Sequence, residues 1–213
     1  DDIAFELGID PFELRLKNVI RSFPYKNVLG FVYDEGSYAA SLERSRELLA
    51  PDIGEARKTK ENSDIRVGVG FACFIEQTAH GTPDFTRRKV PIETGYEAAR
   101  VEMMPDGSVL VETGMQSHGQ GHETTFAQVA ADALGVAPDD VRVRHGDTLT
   151  TPYSVGTWGS RGISLGGGAV HLAASEIAKK LRAIAAHLLD VNESQIVLGC
   201  RRAAVAGDSE RFV

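Results

Sequence analysis

Gly114-Met115-Gln116-Ser117-His118-Gly119-Gln120-Gly121-His122-Glu123-Thr124-Thr125 is the stretch on which the fold turns. It leaves an alternating apolar segment that ends at Thr113. It enters a helical pattern whose apolar face is Phe126, Val129, Ala130, Ala133 and Leu134. A glycine-rich bend between a strand and a helix N-terminus is an anion cradle. Glycines let backbone N–H groups come close, and the unpaired amides of the first helical turn add partial positive charge. The expectation is a phosphate-bearing ligand. Glu123, at the helix start, suits the helix dipole but repels a phosphate, so it is expected to point away.

A second bend, Gly156-Thr157-Trp158-Gly159-Ser160-Arg161-Gly162, also precedes a helix. Two hydroxyls and a guanidinium among glycines make a phosphate clamp. The alternative is a tight turn whose Thr157 and Ser160 merely cap the next helix. Two such bends in one chain favour a shared ligand. Gly119-Gln120-Gly121 has the start of a dinucleotide fingerprint, but Thr124 stands at the third glycine position and no clear acid lies about 20 residues on. No P-loop is present. His118 and His122 with Glu123 lack the further ligands of a zinc site and read as hydrogen-bonding loop residues. The metal expectation is none.

Outward from these bends the pattern is mixed. Gly8 stops a first helix, and Asp10-Pro11 starts a second. Residues 21–35 read as irregular. Ser37 caps a helix to about Ala50, and 51–64 is a solvated helix or loop. Residues 65–79 read as a buried strand and 80–95 as a loop. A hairpin turns at Pro105-Asp106-Gly107. A short strand covers Val141 to His145, and the long last helix carries Val170, Ala173, Ile177, Leu181, Ile184 and Leu188 as its stripe. Ile196 to Val205 reads as a further hairpin. The expected class is α+β, with a mixed sheet, hairpins and packed helices. The expected division is a helical lead-in over 1–64 and an α+β cofactor-binding segment over 65–213.

At 213 residues the chain can bury a sizeable core, and 42% hydrophobic with 25% charged is an ordinary globular balance. A net charge of −7 argues against general nucleic-acid binding. No apolar run approaches the roughly 20 residues of a membrane span. Cys73 and Cys200 lie far apart in apolar sequence and read as inert reduced thiols, which favours the cytoplasm. The opening on a helical pattern and the close on Ser209-Glu210-Arg211-Phe212-Val213 suggest a piece of a longer polypeptide.

Taken together, several runs resemble one family. These are Pro105 to Val109, Gly114, Gly119 to Thr124, Gln128, Ala131 to Val136, Gly146-Asp147-Thr148, Gly156 to Arg161 and the opening ELGIDPFELRLKNVI. The chain is similar to a central section of the molybdopterin-binding large subunit of the xanthine dehydrogenase, aldehyde oxidase and aerobic carbon monoxide dehydrogenase family. The resemblance implies a molybdopterin cofactor, in bacteria usually the cytosine dinucleotide. It also implies an enzyme that hydroxylates a small molecule with oxygen from water, and iron–sulfur and FAD partner subunits or domains. Carried over by motif, the cofactor-binding set is Gly119, Gln120, Gly121, His122, Thr157, Ser160 and Arg161. Some relatives place another hydroxyl two residues after the serine, where this chain has Gly162. The family's G-G-G-F-G-G motif, its cysteine-bearing loop and its general-base glutamate are not among these residues. No catalytic residue is therefore expected here, and the chain alone should not hydroxylate. The rival reading is a non-catalytic nucleotide-binding or assembly module.

Overall fold

The computed structural model describes residues 1–59, 68–89 and 95–213. They form two compact units, Asp1–Ile75 and Glu76–Val213. In the first, α1 (Asp2–Leu7) ends at Gly8, whose φ of +64° is the left-handed helix stop that glycine provides. The Asp10 carboxylate accepts the amides of Phe12 and Glu13 and so caps α2 (Pro11–Asn18), with Pro11 in the first turn. Two short strands, β1 (Tyr25–Lys26) and β2 (Val32–Tyr33), pair antiparallel within the stretch expected to be irregular. Helix α3 (Tyr38–Thr59) runs beyond the expected stop near Ala50 and carries Pro51 inside it, at the loss of one backbone hydrogen bond.

The expected strand over 65–79 is not formed by residues 68–79, which have no regular structure and are mostly exposed; residues 65–67 lie outside the described residues. An apolar run states that a segment is attracted to a surface, not that a neighbouring strand is there to pair with it. Cys73, in this segment, and Cys200, in a later turn, are both exposed, contrary to the apolar surroundings expected for them.

In the second unit the expected loop over 80–95 contains a helix, α4 (Thr82–Arg88). Pro83 sits in its first turn, and Lys89, in the left-handed region at φ +54°, ends it. Pro91 lies outside the described residues. The hairpin forms as expected. Strands β3 (Ala99–Met103) and β4 (Val109–Thr113) are antiparallel, and the Asp106 carboxylate accepts both the amide and the hydroxyl of Ser108 in the turn. Strand β5 (Val141–Arg144) lies parallel to β4, so helix α5 (His122–Leu134) is the crossover between them. On central β4, Glu112 faces Arg100 on one side and Arg144 on the other in register, at 3.0 and 2.9 Å.

A π-helical turn (Gly162–Gly167) leads into helix α6 (Gly168–Leu189). The core is Val109, Val111, Met115, Phe126, Ala130, Leu134, Val141, Val170, Ala174 and Ala178, between the sheet and the two long helices. The buried face of α6 is largely alanine. Ile184 and Leu188, expected on its core stripe, are 58% and 63% exposed. Both line an open hollow of about 490 Å³ beside α6. The hairpin β6 (Ile196–Gly199) and β7 (Arg202–Val205) forms as expected. It gains a third strand, β8 (Asp208–Phe212), and Ala185, Ala186, Ile196 and Ala203 form a second small core.

Phe126 is fully buried in the main core. Phe126→Ala should lower the stability of this unit by about 3–5 kcal/mol. Urea unfolding followed by the fluorescence of Trp158, the sole tryptophan, measures this. A loss under about 1 kcal/mol would contradict the packing described.

Candidate functional site

The buried strand β4 delivers the first glycine-rich bend. Gly114 follows at once, and a Cβ there would stand 2.3 Å from the Ser154 Cβ and 2.7 Å from the Pro152 carbonyl oxygen. Only glycine allows this backbone approach, which brings the 152–154 segment against the first bend. The two bends then join directly. The Thr157 hydroxyl donates to the Gln116 carbonyl at 2.7 Å and lies 3.2 Å from the Met115 sulfur.

Gly119 and Gly121 have φ of +101° and +78°, and a Cβ on either would meet nothing within 4 Å. The bend thus presents bare, accessible backbone. Gly121 is the N-cap of α5 and brings no side-chain acceptor, so it leaves the helix mouth electropositive. The side-chain oxygen of Gln120 accepts the His118 amide and folds the bend on itself; the amide nitrogen is that side chain's remaining donor. Ser160, at φ +51°, is exposed, and its hydroxyl donates to Glu76 Oε1 at 2.5 Å.

Two of the seven expected side chains are placed otherwise than expected. His122 is buried, stacked on Phe126 with ring centroids 4.7 Å apart, and a Cβ on Gly162 would lie 2.6 Å from its Nε2. Its imidazole is a spacer between the bends, and its backbone is what stands at the helix mouth. Arg161 is fully buried. Its guanidinium donates to the carbonyls of His80 (2.8 Å), Gly156 (2.9 Å) and Gly95 (2.9 Å) and to the Glu97 carboxylate. A guanidinium so occupied braces the second bend from beneath. Trp158 stacks on His80 and on Phe85, with ring centroids 5.1 and 5.6 Å apart.

Charge near the bends is compensated. The Glu123 carboxylate lies 2.7 Å from His145 Nε2. Its pKa is lowered, first by its own backbone N–H, then by His145, with Ser117 adding to this against the effect of burial. Asp84 is the hub of α4. It takes His80 Nδ1 at 2.7 Å, Arg87 at 2.6 Å and Arg88 at 3.0 Å, with Gln77 also bonded. Burial by itself raises its pKa. The bonds from His80, Arg87 and Gln77 and the charge of Arg88 outweigh that and hold the carboxyl well below the usual carboxylate range.

Sequence reasoning missed Glu97, His80, Asp84 and Glu76. Glu97 lies 64 residues before Arg161 and has no motif of its own, so no local signal pointed to it. A polar pocket of about 380 Å³ adjoins the first bend, lined by Gly114, Gln116, Asp147, Thr148, Tyr153 and Ser154. Larger hollows of about 600 and 490 Å³ are lined by no residue of either bend. One is in the first unit around Leu42 and Phe71, the other along Ile184 and Leu188.

The sequence profile of the Molybdopterin cofactor-binding domain matches residues 47–212. The chain belongs to this family. It is 36% identical to the carbon monoxide dehydrogenase large chain of Hydrogenophaga pseudoflava, over 100% of this chain and 27% of that protein. It is 36% identical to the nicotine 6-hydroxylase large subunit of Paenarthrobacter nicotinovorans, over 100% of this chain and 26% of that one. The crystal structure of quinoline 2-oxidoreductase from Pseudomonas putida 86 superposes with a TM-score of 0.74 at 35% identity, covering 100% of this chain and 27% of that chain. The chain thus spans about a quarter of the length of these relatives.

The residues fit the group that the family name implies. A phosphate-bearing pterin needs N–H and O–H donors on an open surface. Here two glycines with free space over their backbone and the N-terminus of α5 lie beside the second bend, which the Thr157–Gln116 bond holds against the first.

Asp84 makes acid sensitivity testable. A depressed carboxylate contributes stability that is full above its unfolded pKa of 3.8 and lost as pH falls towards the folded value. The urea midpoint of the second unit should drop between about pH 5 and pH 3, and Asp84→Asn should flatten that drop. Equal slopes for the two proteins would refute the hub.

Proposed function

We propose that the two bends form the phosphate- and pterin-facing wall of a molybdopterin cofactor cleft, in the cytosine dinucleotide form. The whole protein is then the large subunit of a molybdenum-containing oxidoreductase that acts on a small molecule. The observation that carries the reading is the 2.7 Å bond from Thr157 to the Gln116 carbonyl, which sets the bends edge to edge within reach of one pyrophosphate. The backbone amides of Gly119, Gln120, Gly121 and His122 are the proposed contacts of the first bend. Those of the second are the Thr157 and Ser160 hydroxyls, each of which turns its one proton from the Gln116 carbonyl or the Glu76 carboxylate to a phosphate oxygen on binding. Arg161 serves from beneath.

When bound, the cofactor supplies two-electron chemistry at molybdenum, with oxygen drawn from water. This chain's residues bind and orient it; none of them is assigned a catalytic role. Iron–sulfur and FAD subunits or domains complete the electron path. Two of the relatives are named as a large chain and a large subunit, which supports a multi-subunit assembly. Two free cysteines support a reducing, cytoplasmic setting.

Acid release of nucleotide from the gene product as its host makes it should yield CMP in proportion to molybdenum. Thr157→Val should lower the retained cofactor about fivefold, as expected for one neutral hydrogen bond of about 1 kcal/mol. Release of an adenine nucleotide without molybdenum would overturn the reading.

A further inference from the structure

The buried pair beneath the second bend has a geometry that packing alone does not require. Arg161 and Glu97 are both fully buried in their side chains. The guanidinium reaches carbonyls on three separate segments, at His80, Gly95 and Gly156. Those segments are already pressed together: a Cβ on Gly95 would lie 2.5 Å from the backbone of Gly81 and Thr82. Glu97 is used asymmetrically. Its Oε1 accepts both from Arg161 and from the Val155 amide at 3.1 Å. Its Oε2 is buried with no hydrogen-bond partner among the described residues. A carboxylate buried only to neutralise a charge gains by satisfying both oxygens. This one spends its bonds on the start of the second bend and leaves the other oxygen idle.

We propose that Glu97 and Arg161 are the positioning pair of the second glycine-rich bend. Val155 and Gly156 are pinned to the pair from below, and this fixes the rise of the chain so that Thr157 meets Gln116 of the first bend. The guanidinium also lies over the Trp158 ring, 5.7 Å from its centroid, which adds a contact within the bend itself. Neither residue need touch the ligand; both act through the backbone they hold.

Two variants test this in the gene product as its host makes it. Glu97→Gln keeps the shape and removes the charge. Arg161→Lys keeps the charge and removes the fork that spans three carbonyls. The first measurement is amide hydrogen exchange, which does not depend on the cofactor. Residues 155–161 should exchange at least tenfold faster in both variants, while β4 and α6 keep their protection. The second is the molybdenum and CMP retained, which should fall at least fivefold; this arm rests on the cofactor reading above. If the wild type holds no such cofactor, that reading falls and the exchange arm still decides the pair. Unchanged exchange over 155–161 overturns the proposal. So does loss of protection throughout the unit in both variants, because the pair would then hold the core instead of the bend.

Discussion

A guanidinium cannot be buried cheaply unless nearly every N–H finds an acceptor. Arg161 meets that demand with three backbone carbonyls and one carboxylate, drawn from parts of the chain 5 to 81 residues away. The convergence of the 80, 95 and 156 segments is the structural form of this requirement. Everything above the guanidinium follows from where it pins the chain. Trp158 is held against His80, Thr157 faces Gln116, and Ser160 is turned over in the left-handed region at the top of the bend. His80 is fixed in turn by Asp84 of the short helix α4, whose Phe85 also stacks on Trp158.

The surface above this brace is chemically one-sided. Backbone N–H groups of the first bend and the N-terminus of α5 face outward, while the Thr157 and Ser160 hydroxyls donate to Gln116 and Glu76. The nearby acids are each engaged, Glu123 by His145 and Glu76 by the Ser160 hydroxyl. That arrangement reconciles an acidic chain with an anionic ligand. Net charge acts over a Debye length, whereas oriented amides act at contact distance. The sheet follows the same local accounting: Glu112 is buried on the central strand between two arginines in register with it.

Much of the fold was legible because its signals are local. Asp10-Pro11 caps a helix wherever it lies, Asp106-Gly107-Ser108 turns a hairpin by its own hydrogen bonds, and Gly8 ends a helix through its own φ. The failures share a cause. Residues 68–79 are apolar enough for a strand, but no strand among the described residues pairs with them. Ile184 and Leu188 keep the helical period, but they line an open hollow instead of the core. In each case the outcome depended on a neighbour distant in sequence. Of the candidate site, the glycines, Thr157 and Ser160 were picked out from the composition of the two bends. Arg161 was picked out for its charge and turned out to face inward, because a clamp and a brace use the same side chain.

The sequence by itself determined the two glycine bends, the helices they lead into and the donor chemistry they carry, since these depend on residues within a few positions of one another. Tertiary structure alone decided that the bends meet, that His122 and Arg161 turn inward, and that Glu97 underlies the second bend. Burial of a charge is settled only when the acceptors around it are assembled, and those acceptors come from segments that no local pattern connects.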